Sequence, residues 1–467
     1  MVEITPFLSK NQNPLYLQVY EHIREEIKKG VLPPESKLPS IRTLSKHLNI
    51  SNNTVSLSYN LLIAEGYIES RPRSGMYVKK EIEDISPFPE RKEIHFEEEN
   101  KEQLKNFNYD FHYGTIDSSL FPFKTYSRIA NEIYYEKQEE LFKYGEPKGE
   151  PGFRQELHRY LTTSRGVKCR PEQIIVTSGT QHSLMLLSQL IDMENKCVGF
   201  EEPGYNGARV IFKNLKSQII PIEVKTRGIC IKGLYTEKPN LIYVTPSHQF
   251  PNGYIMPLQN RRRLLEWAKE NDSWIIEDDY DSEFKYHGNP VQCIQGIDTN
   301  GKVIYLGTFS KSFLPSLRIS YMVLPYSLLN IYHDVCDLYE QTVPRIHQWI
   351  LEKFMRTEEW SKHITKMRST YRKKHVAITT AIKEFFNMNQ INILGKDSGL
   401  HILIEVEGKS EEELIHLASG VGVRVYPTTL YWQNPNDSTK GTVLLGFGAL
   451  SEQEIKDGIY ALSKVWM

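Results

Sequence analysis

Four short apolar runs constrain this chain more than anything else in it. QIIVTSG (173–179), NLIYVTP (240–246), SWIIEDD (273–279) and KVIYLGTFSKS (302–312) are rich in Ile, Val or Tyr, and Gly, Ser, Thr, Asp or Pro follows each apolar stretch. Helical patterns lie between them. Strands alternating with helices predict a mostly parallel α/β sheet, with ligands beyond the carboxyl ends of its strands. The pattern begins at about residue 108. The length of 467 residues leaves room for two to four domains at roughly 100–200 residues each. A chain this long buries a large core without covalent staples.

Charge is informative by segment, because the net charge is only −1. Residues 1–80 carry eleven Lys/Arg against seven Asp/Glu, and residues 81–107 carry four against nine. The acidic stretch also holds Pro87 and Pro89, which argues against a packed core and for a linker. The predicted division is therefore 1–80, a linker over 81–107, and 108–467. Cys169, Cys197, Cys230, Cys293 and Cys336 form no CxxC or Cys/His cluster. Their number and spacing fit a reducing cytosol and give no reason to expect a metal site. No signal pattern and no long apolar stretch is present, so a cytoplasmic protein without a membrane partner is expected.

Residues 15–30 place Leu17, Val19 or Tyr20, Ile23 and Ile27 at helical spacing, and Gly30 ends the run. Ser40 is placed to cap a second helix with Leu44 and Leu48 inward, and Asn49 is a left-handed C-cap. Ser51 opens a third, with Val55, Tyr59 and Leu62 as its stripe and Gly66 as its stop. Two short helices across a tight turn, the second polar at its start, describe a helix-turn-helix. The second helix of such a unit enters the major groove by its N-terminal residues. Here those are Ser51, Asn52, Asn53, Thr54 and Ser56, all able to bond base edges or phosphates. Ser40 and Arg42, at the start of the preceding helix, join the candidate contacts. YIESRPRSGMYVKK (67–80) reads as a β-hairpin wing with Arg71 and Arg73 near its tip. By residue type alone, polar helix starts are equally well solvated caps. The stretches KLPSIRTLSKHLNIS, NTVSLSYNLLIAEGYI and SGMYV resemble the GntR family of winged helix-turn-helix regulators, which implies double-stranded promoter DNA as partner. Many members have Arg where Asn52 stands.

In the larger part, LGTFSKSFLPSLRISY runs a strand (Val303–Leu306) into a turn holding Ser310 and Lys311, with Arg318 seven residues after the lysine. A lysine at the end of a buried strand loses its proton cheaply and can form a Schiff base with an aldehyde. An arginine fork suits a phosphate dianion. In SWIIEDDYDSEF, the strand Trp274–Ile276 delivers acidic residues to the ligand edge, where a carboxylate can hold a pyridine nitrogen protonated. A metal site or a solvated turn would read the same way. IIVTSGTQHSLMLL places Ser178–Gln181 at a helix start, a phosphate-binding position that is also a common strand-to-helix turn. In EEPGYNG, Tyr205 can stack on a flat ring.

In this order the segments resemble fold-type I aminotransferases dependent on pyridoxal 5′-phosphate (PLP), from about 108 to 467. The resemblance implies a mostly parallel sheet with a smaller C-terminal α/β subdomain. It makes Lys311 the Schiff-base lysine, Asp278 the pyridinium partner, Tyr280 the ring-hydroxyl donor and Tyr205 the stacking ring. Gly179, Thr180, Gln181, Ser310 and Arg318 become cofactor ligands. Tyr144, in YGEPKGEPGFRQEL, matches a tyrosine that reaches the neighbouring subunit's phosphate, which implies a homodimer. The two modules together resemble the MocR/GabR subfamily of GntR regulators.

The pattern departs from the enzymes at two grips. TPSHQFPNG puts Phe250 where they carry an Asn that bonds the ring hydroxyl, and TVLLGFGAL puts Leu444 where they carry the Arg that holds the substrate carboxylate. Ala449, Asn206 and Gly207 replace positions used by GABA-responsive relatives. Arg209 and Arg424 are candidate substitutes. A lost charge-assisted bond costs about 1.5–3 kcal/mol, so at most weak or partial transamination is expected. The implied function is a regulator in which an amine, an amino acid or PLP itself, bound at Lys311, modulates promoter binding by a homodimer. The alternatives are a genuine PLP-dependent aminotransferase with a DNA-binding appendage, and a DNA-binding dimer that never takes PLP.

Overall fold

A computed structural model describes residues 4–6, 13–80, 107–194, 196–286, 292–336, 338–435 and 441–467. The acidic linker, apart from Phe107, lies outside the described residues. The chain divides into two units, residues 1–103 and 104–467.

Among the described residues the first unit has three helices, α1 (Leu15–Lys28), α2 (Ile41–Leu48) and α3 (Asn52–Ala64), then a hairpin of β1 (Ile68–Arg71) and β2 (Gly75–Val78). Ser40 and Ser51 cap α2 and α3 by accepting from Thr43 N and Thr54 N, and Asn49 ends α2 in the left-handed region. Val19, Ile23, Leu44, Val55, Tyr59 and Leu62 bury one shared core with Ile68 and Val78 of the wing. The apolar stripes therefore meet as their 3.6-residue spacing requires.

The second unit is laid out in chain order as β3 (Tyr109–Asp110), α4 (Phe123–Glu136), α5 (Pro151–Tyr160), β4 (Ile174–Thr177), α6 (Thr180–Leu190), β5 (Cys197–Glu202), α7 (Asn206–Asn214), β6 (Gln218–Lys225), β7 (Gly228–Ile229), α8 (Ile231–Glu237), β8 (Leu241–Val244), α9 (Leu258–Glu270), β9 (Trp274–Asp279), α10 (Ile294–Ile297), β10 (Val303–Thr308), β11 (Ser320–Val323), α11 (Tyr326–Cys336), α12 (Arg345–Arg356) and α13 (Glu359–Phe385). There follow β12 (Ile391–Leu394), β13 (His401–Val406), α14 (Glu411–Gly420), β14 (Val423–Arg424), β15 (Tyr426–Pro427), β16 (Thr442–Gly446) and α15 (Glu452–Trp466).

The main sheet has the order β4-β11-β10-β9-β8-β5-β6-β7. Strands β10, β9, β8, β5 and β6 pair in parallel, while β11 runs antiparallel to both its neighbours. Helical crossovers enforce the parallel pairs. Side chains alternate between faces. Ile275 and Val303 pack with α9 and α10, whereas Ile276, Ile304 and Tyr243 pack with α6 and α7. The smaller C-terminal part is an antiparallel sheet, β12-β13-β16-β15, covered by α13, α14 and α15 around Ile402, Ile404, Val443, Leu445 and Trp466.

Candidate functional site

The carboxyl ends of β8, β9 and β10 and the turn before α6 surround a cavity of about 250 Å³. Strand β9 runs three residues past the predicted Ile276, because its ladder with β10 continues through Asp278 and Asp279. The acidic residues are thus in the strand, and its alternation separates them. Glu277 turns back to accept from the backbone of Ile294 and Gln295, with Arg261 3.7 Å away. Asp279 pairs with Arg165 and accepts from Tyr305. Burial, the largest single influence, would raise Asp279, but the Arg165 charge together with the hydrogen bonds from Ser282, Tyr305 and Arg165 holds the carboxyl below its usual range. Asp278 alone faces the cavity. Tyr243, on β8, donates to its Oδ2, while Oδ1 is buried with no hydrogen-bond partner among the described residues. Burial pushes Asp278 up to about 7, although the Tyr243 bond opposes the shift.

Lys311 enters the same cavity from the turn after β10, the strand that pairs with β9. Its Nζ donates to the carbonyl of Tyr113 at 2.6 Å and lies 4.5 Å from the centre of the Tyr113 ring. Desolvation pulls its pKa down to about 8, with the Asp281 charge opposing. Arg318 reaches the cavity with its backbone in the left-handed region. Its guanidinium lies so close to Gly179 (φ 124°) that a Cβ there would collide with it. Thr180 and Gln181, in the first turn of α6, and Ser310 complete that end. Helix-start N–H groups beside an arginine fork make an anion cradle.

Tyr205 and Tyr280 line the cavity as expected, but the Tyr280 hydroxyl is also 2.9 Å from His248 Nδ1. Phe250 lines it too, packed edge-on against Tyr205, Tyr280 and Tyr431. Leu444 is fully buried beside Phe250 and Tyr431. Neither substitute arginine reaches the cavity. Arg209 is tied to Glu202 at 3.0 Å and to the Tyr431 carbonyl at 2.9 Å, and Arg424 lies 3.8 Å from Asp110 and against Phe107 and Tyr426. Tyr144 is 85% exposed and outside the cavity lining of its own chain. Sequence reasoning missed Tyr113 and Tyr243. Tyr243 stood in a run read only as a strand, and its role required knowing that β8 lies beside β9. His248, Asp281 and His401 also bring metal-ligand chemistry together, their candidate atoms within 4.8 Å of one another.

In the first unit, Arg42, Asn52 and Asn53 are exposed, with Thr54 and Ser56 half-buried beside them. Asn52 Oδ1 accepts from Ser45 at 2.6 Å, so that bond does not use its amide protons. The Ser40 and Ser51 hydroxyls serve as caps. Arg71 is occupied within the unit by Glu35 at 2.9 Å and Glu69 at 2.7 Å, and it lies over the Tyr77 ring. Arg73, at the hairpin tip, is exposed.

A winged helix-turn-helix and an aminotransferase-like α/β unit in one chain define a class of DNA-binding regulator built on an enzyme fold. Residues 15–78 match the bacterial regulatory proteins of the gntR family, and residues 117–436 match aminotransferase class I and II. The chain is 44% identical over its whole length, and over the whole length of that protein, to the uncharacterized HTH-type transcriptional regulator YdeL of Bacillus subtilis. It is 31% identical to the probable rhizopine catabolism regulatory protein MocR of Rhizobium meliloti, across 97% of this chain and 94% of that one. Its fold is similar to the multiple substrate aminotransferase of Thermococcus profundus, with a TM-score of 0.71 and 24% identity over 78% of this chain and 92% of that one. The chain belongs to the MocR/GabR subfamily of GntR-family transcriptional regulators. Among the described residues no helix is long and apolar enough to cross a membrane.

Proposed function

We propose that the cavity at Lys311 takes PLP, and that a small amine, an amino acid or PLP itself acting there controls how a cytoplasmic homodimer binds promoter DNA. The observation that carries this reading is the shared cavity of Lys311, Asp278 and Arg318. Its features fit the group one by one. An orphaned, buried carboxylate oxygen on Asp278 suits a protonated pyridine nitrogen. The Gly179 turn, which has no room for a Cβ against Arg318, suits a phosphate. A lysine with its pKa near 8 suits an aldehyde.

Bound there, PLP supplies an electrophilic aldehyde carbon and a ring that accepts electrons. Lys311 would then contribute a readily deprotonated amine, and the Asp278 carboxylate would accept from a protonated ring nitrogen and keep the proton there. Arg318, Thr180, Gln181, Gly179 and Ser310 orient the phosphate, and Tyr205 covers the ring. Tyr144, exposed on its own chain, is the residue we assign to a second copy's phosphate. The DNA contacts we propose are Arg42, Asn52, Asn53, Thr54, Ser56 and Arg73, with Ser40 and Ser51 acting first as helix caps and Arg71 bracing the wing.

The aromatic and aliphatic surround of Phe250, Tyr431 and Leu444 favours sensing over turnover, because it contributes no cation to hold a substrate carboxylate. Purified protein mixed with PLP should develop a visible absorption band that Lys311→Ala does not. A wild-type protein that stays colourless with PLP in excess overturns the reading. Steady turnover of an amino donor with a keto acid would favour the enzyme alternative instead.

A further inference from the structure

Behind Tyr280 lies a buried pair that the reading above does not use. His248 Nδ1 is 2.8 Å from Asp281 Oδ2 and 2.9 Å from the Tyr280 hydroxyl oxygen. The His248 side chain is completely buried and that of Asp281 is 3% exposed. His248 Nε2 is buried with no hydrogen-bond partner among the described residues.

The proton inventory has few solutions. If Nδ1 carries a lone pair, the ring proton sits on Nε2, where no acceptor faces it, and a carboxylate oxygen is left facing a lone pair. A protonated Asp281 donating to Nδ1 also needs the ring proton on Nε2. A doubly protonated ring leaves the same buried N–H unmatched. A buried donor without a partner is the costly case. The remaining arrangement puts the proton on Nδ1, donated to Asp281, and leaves only a lone pair on Nε2. The neighbouring His401 donates its Nε2 proton to the Pro251 carbonyl at 3.0 Å, and the acceptor left on its Nδ1 makes no hydrogen bond to His248 Nε2.

A nitrogen carrying a proton cannot accept one from Tyr280. We infer that the buried pair Asp281–His248 turns the hydroxyl proton of Tyr280 into the cavity, so that Tyr280 donates to whatever oxygen faces it there. Asp281 and His248 are positioning residues that act through Tyr280. Their effect is enlarged by Phe250, which stands where an amide donor would otherwise share the task. That the facing oxygen is the ring oxygen of PLP rests on the proposed function; the location of the proton does not.

Two measurements on the full-length protein separate these. In the protein freed of PLP, ¹⁵N-histidine NMR should find the His248 proton on Nδ1, shifted downfield by the carboxylate, and Asp281→Asn should abolish that signal. A proton found on Nε2 in the wild type overturns the inference, whether or not PLP binds. With PLP titrated by absorbance, Asp281→Asn and Tyr280→Phe should each weaken binding about tenfold. The double variant should be no weaker than Tyr280→Phe alone. Additive losses, near a hundredfold, would show that Asp281 acts by another route and overturn it. His248→Asn, whose amide can still donate to Asp281, should stay within about threefold of wild type. A tenfold loss there, with the unfolding midpoint unchanged, also counts against the inference. A wild type that never develops a visible band sinks the proposed function and leaves the NMR result to decide this one.

Discussion

At the scale of single residues, burial does most of the chemical work at the cavity. An isolated ammonium is disfavoured away from water, and Lys311 is drawn down to about 8 for that reason. At pH 7 roughly a tenth of such a group is neutral, against fewer than one in a thousand for an ordinary lysine. Because the folded pKa is lowered, the neutral form grows as pH rises through about 8 and is nearly complete before an unperturbed lysine begins to titrate. Competitive acetylation of the protein freed of PLP should therefore give Lys311 a reactivity midpoint near pH 8. A midpoint above 10 would contradict its desolvation. Asp278 is moved in the opposite sense by the same cause, to about 7. Each group is moved toward neutral pH, so that a ligand of the right charge can change its protonation, which is the condition under which one proton or one imine-forming amine makes a large difference.

At the scale of elements, alternation explains both what the sequence disclosed and what it hid. Strands β4, β8, β9 and β10 were legible because β-branched runs ended in small polar residues. Within β9, a period of two separates Asp278 from Glu277 and Asp279 once the strand is known to continue, and the sequence alone ended it too early at Ile276. Acidic residues read as a turn; the partners that make them tolerable inside a strand, Arg165, Arg261 and the backbone of α10, come from distant segments. For the same reason Tyr113, Tyr243 and the His248–Asp281 pair had no local signal. The winged unit was legible almost throughout, since caps and stripes are local features. The difference between its two wing arginines was not. Arg71 is held by Glu35 and Glu69, and Arg73 is exposed at the tip. Arg73→Ala should weaken DNA binding and lower the slope of log affinity against log salt by about 1. Arg71→Ala should leave that slope within experimental error and instead lower the unfolding midpoint. Equal slopes for Arg73→Ala and wild type would remove Arg73 from the phosphate contacts.

At the scale of the whole molecule, the second unit exposes large apolar side chains, with Tyr135, Phe142 and Tyr144 between 79% and 93% exposed. Single exposed aromatics are common, but three within ten residues, with Tyr144 the residue we assign to a second copy, lead us to propose that this segment packs against another copy. A self-complementary patch closes with two-fold symmetry, so sedimentation should show a dimer. Such a dimer carries two winged units, which matches two half-sites on DNA. Regulation then has a thermodynamic requirement. A ligand at Lys311 shifts DNA binding only by as much as it prefers one dimer state over another, and a tenfold shift is about 1.4 kcal/mol. Linkage makes the effect reciprocal, so DNA must alter ligand affinity by the same factor. DNA fragments selected for binding from the source genome should thus change the apparent affinity for PLP, read from the visible band, by the factor by which PLP changes DNA affinity. Lys311→Ala should abolish both effects together while retaining DNA binding at the affinity of the PLP-free protein. If PLP shifts DNA affinity but selected DNA leaves the PLP titration unmoved, the two sites are not linked through one dimer equilibrium, and the cavity is not the sensor.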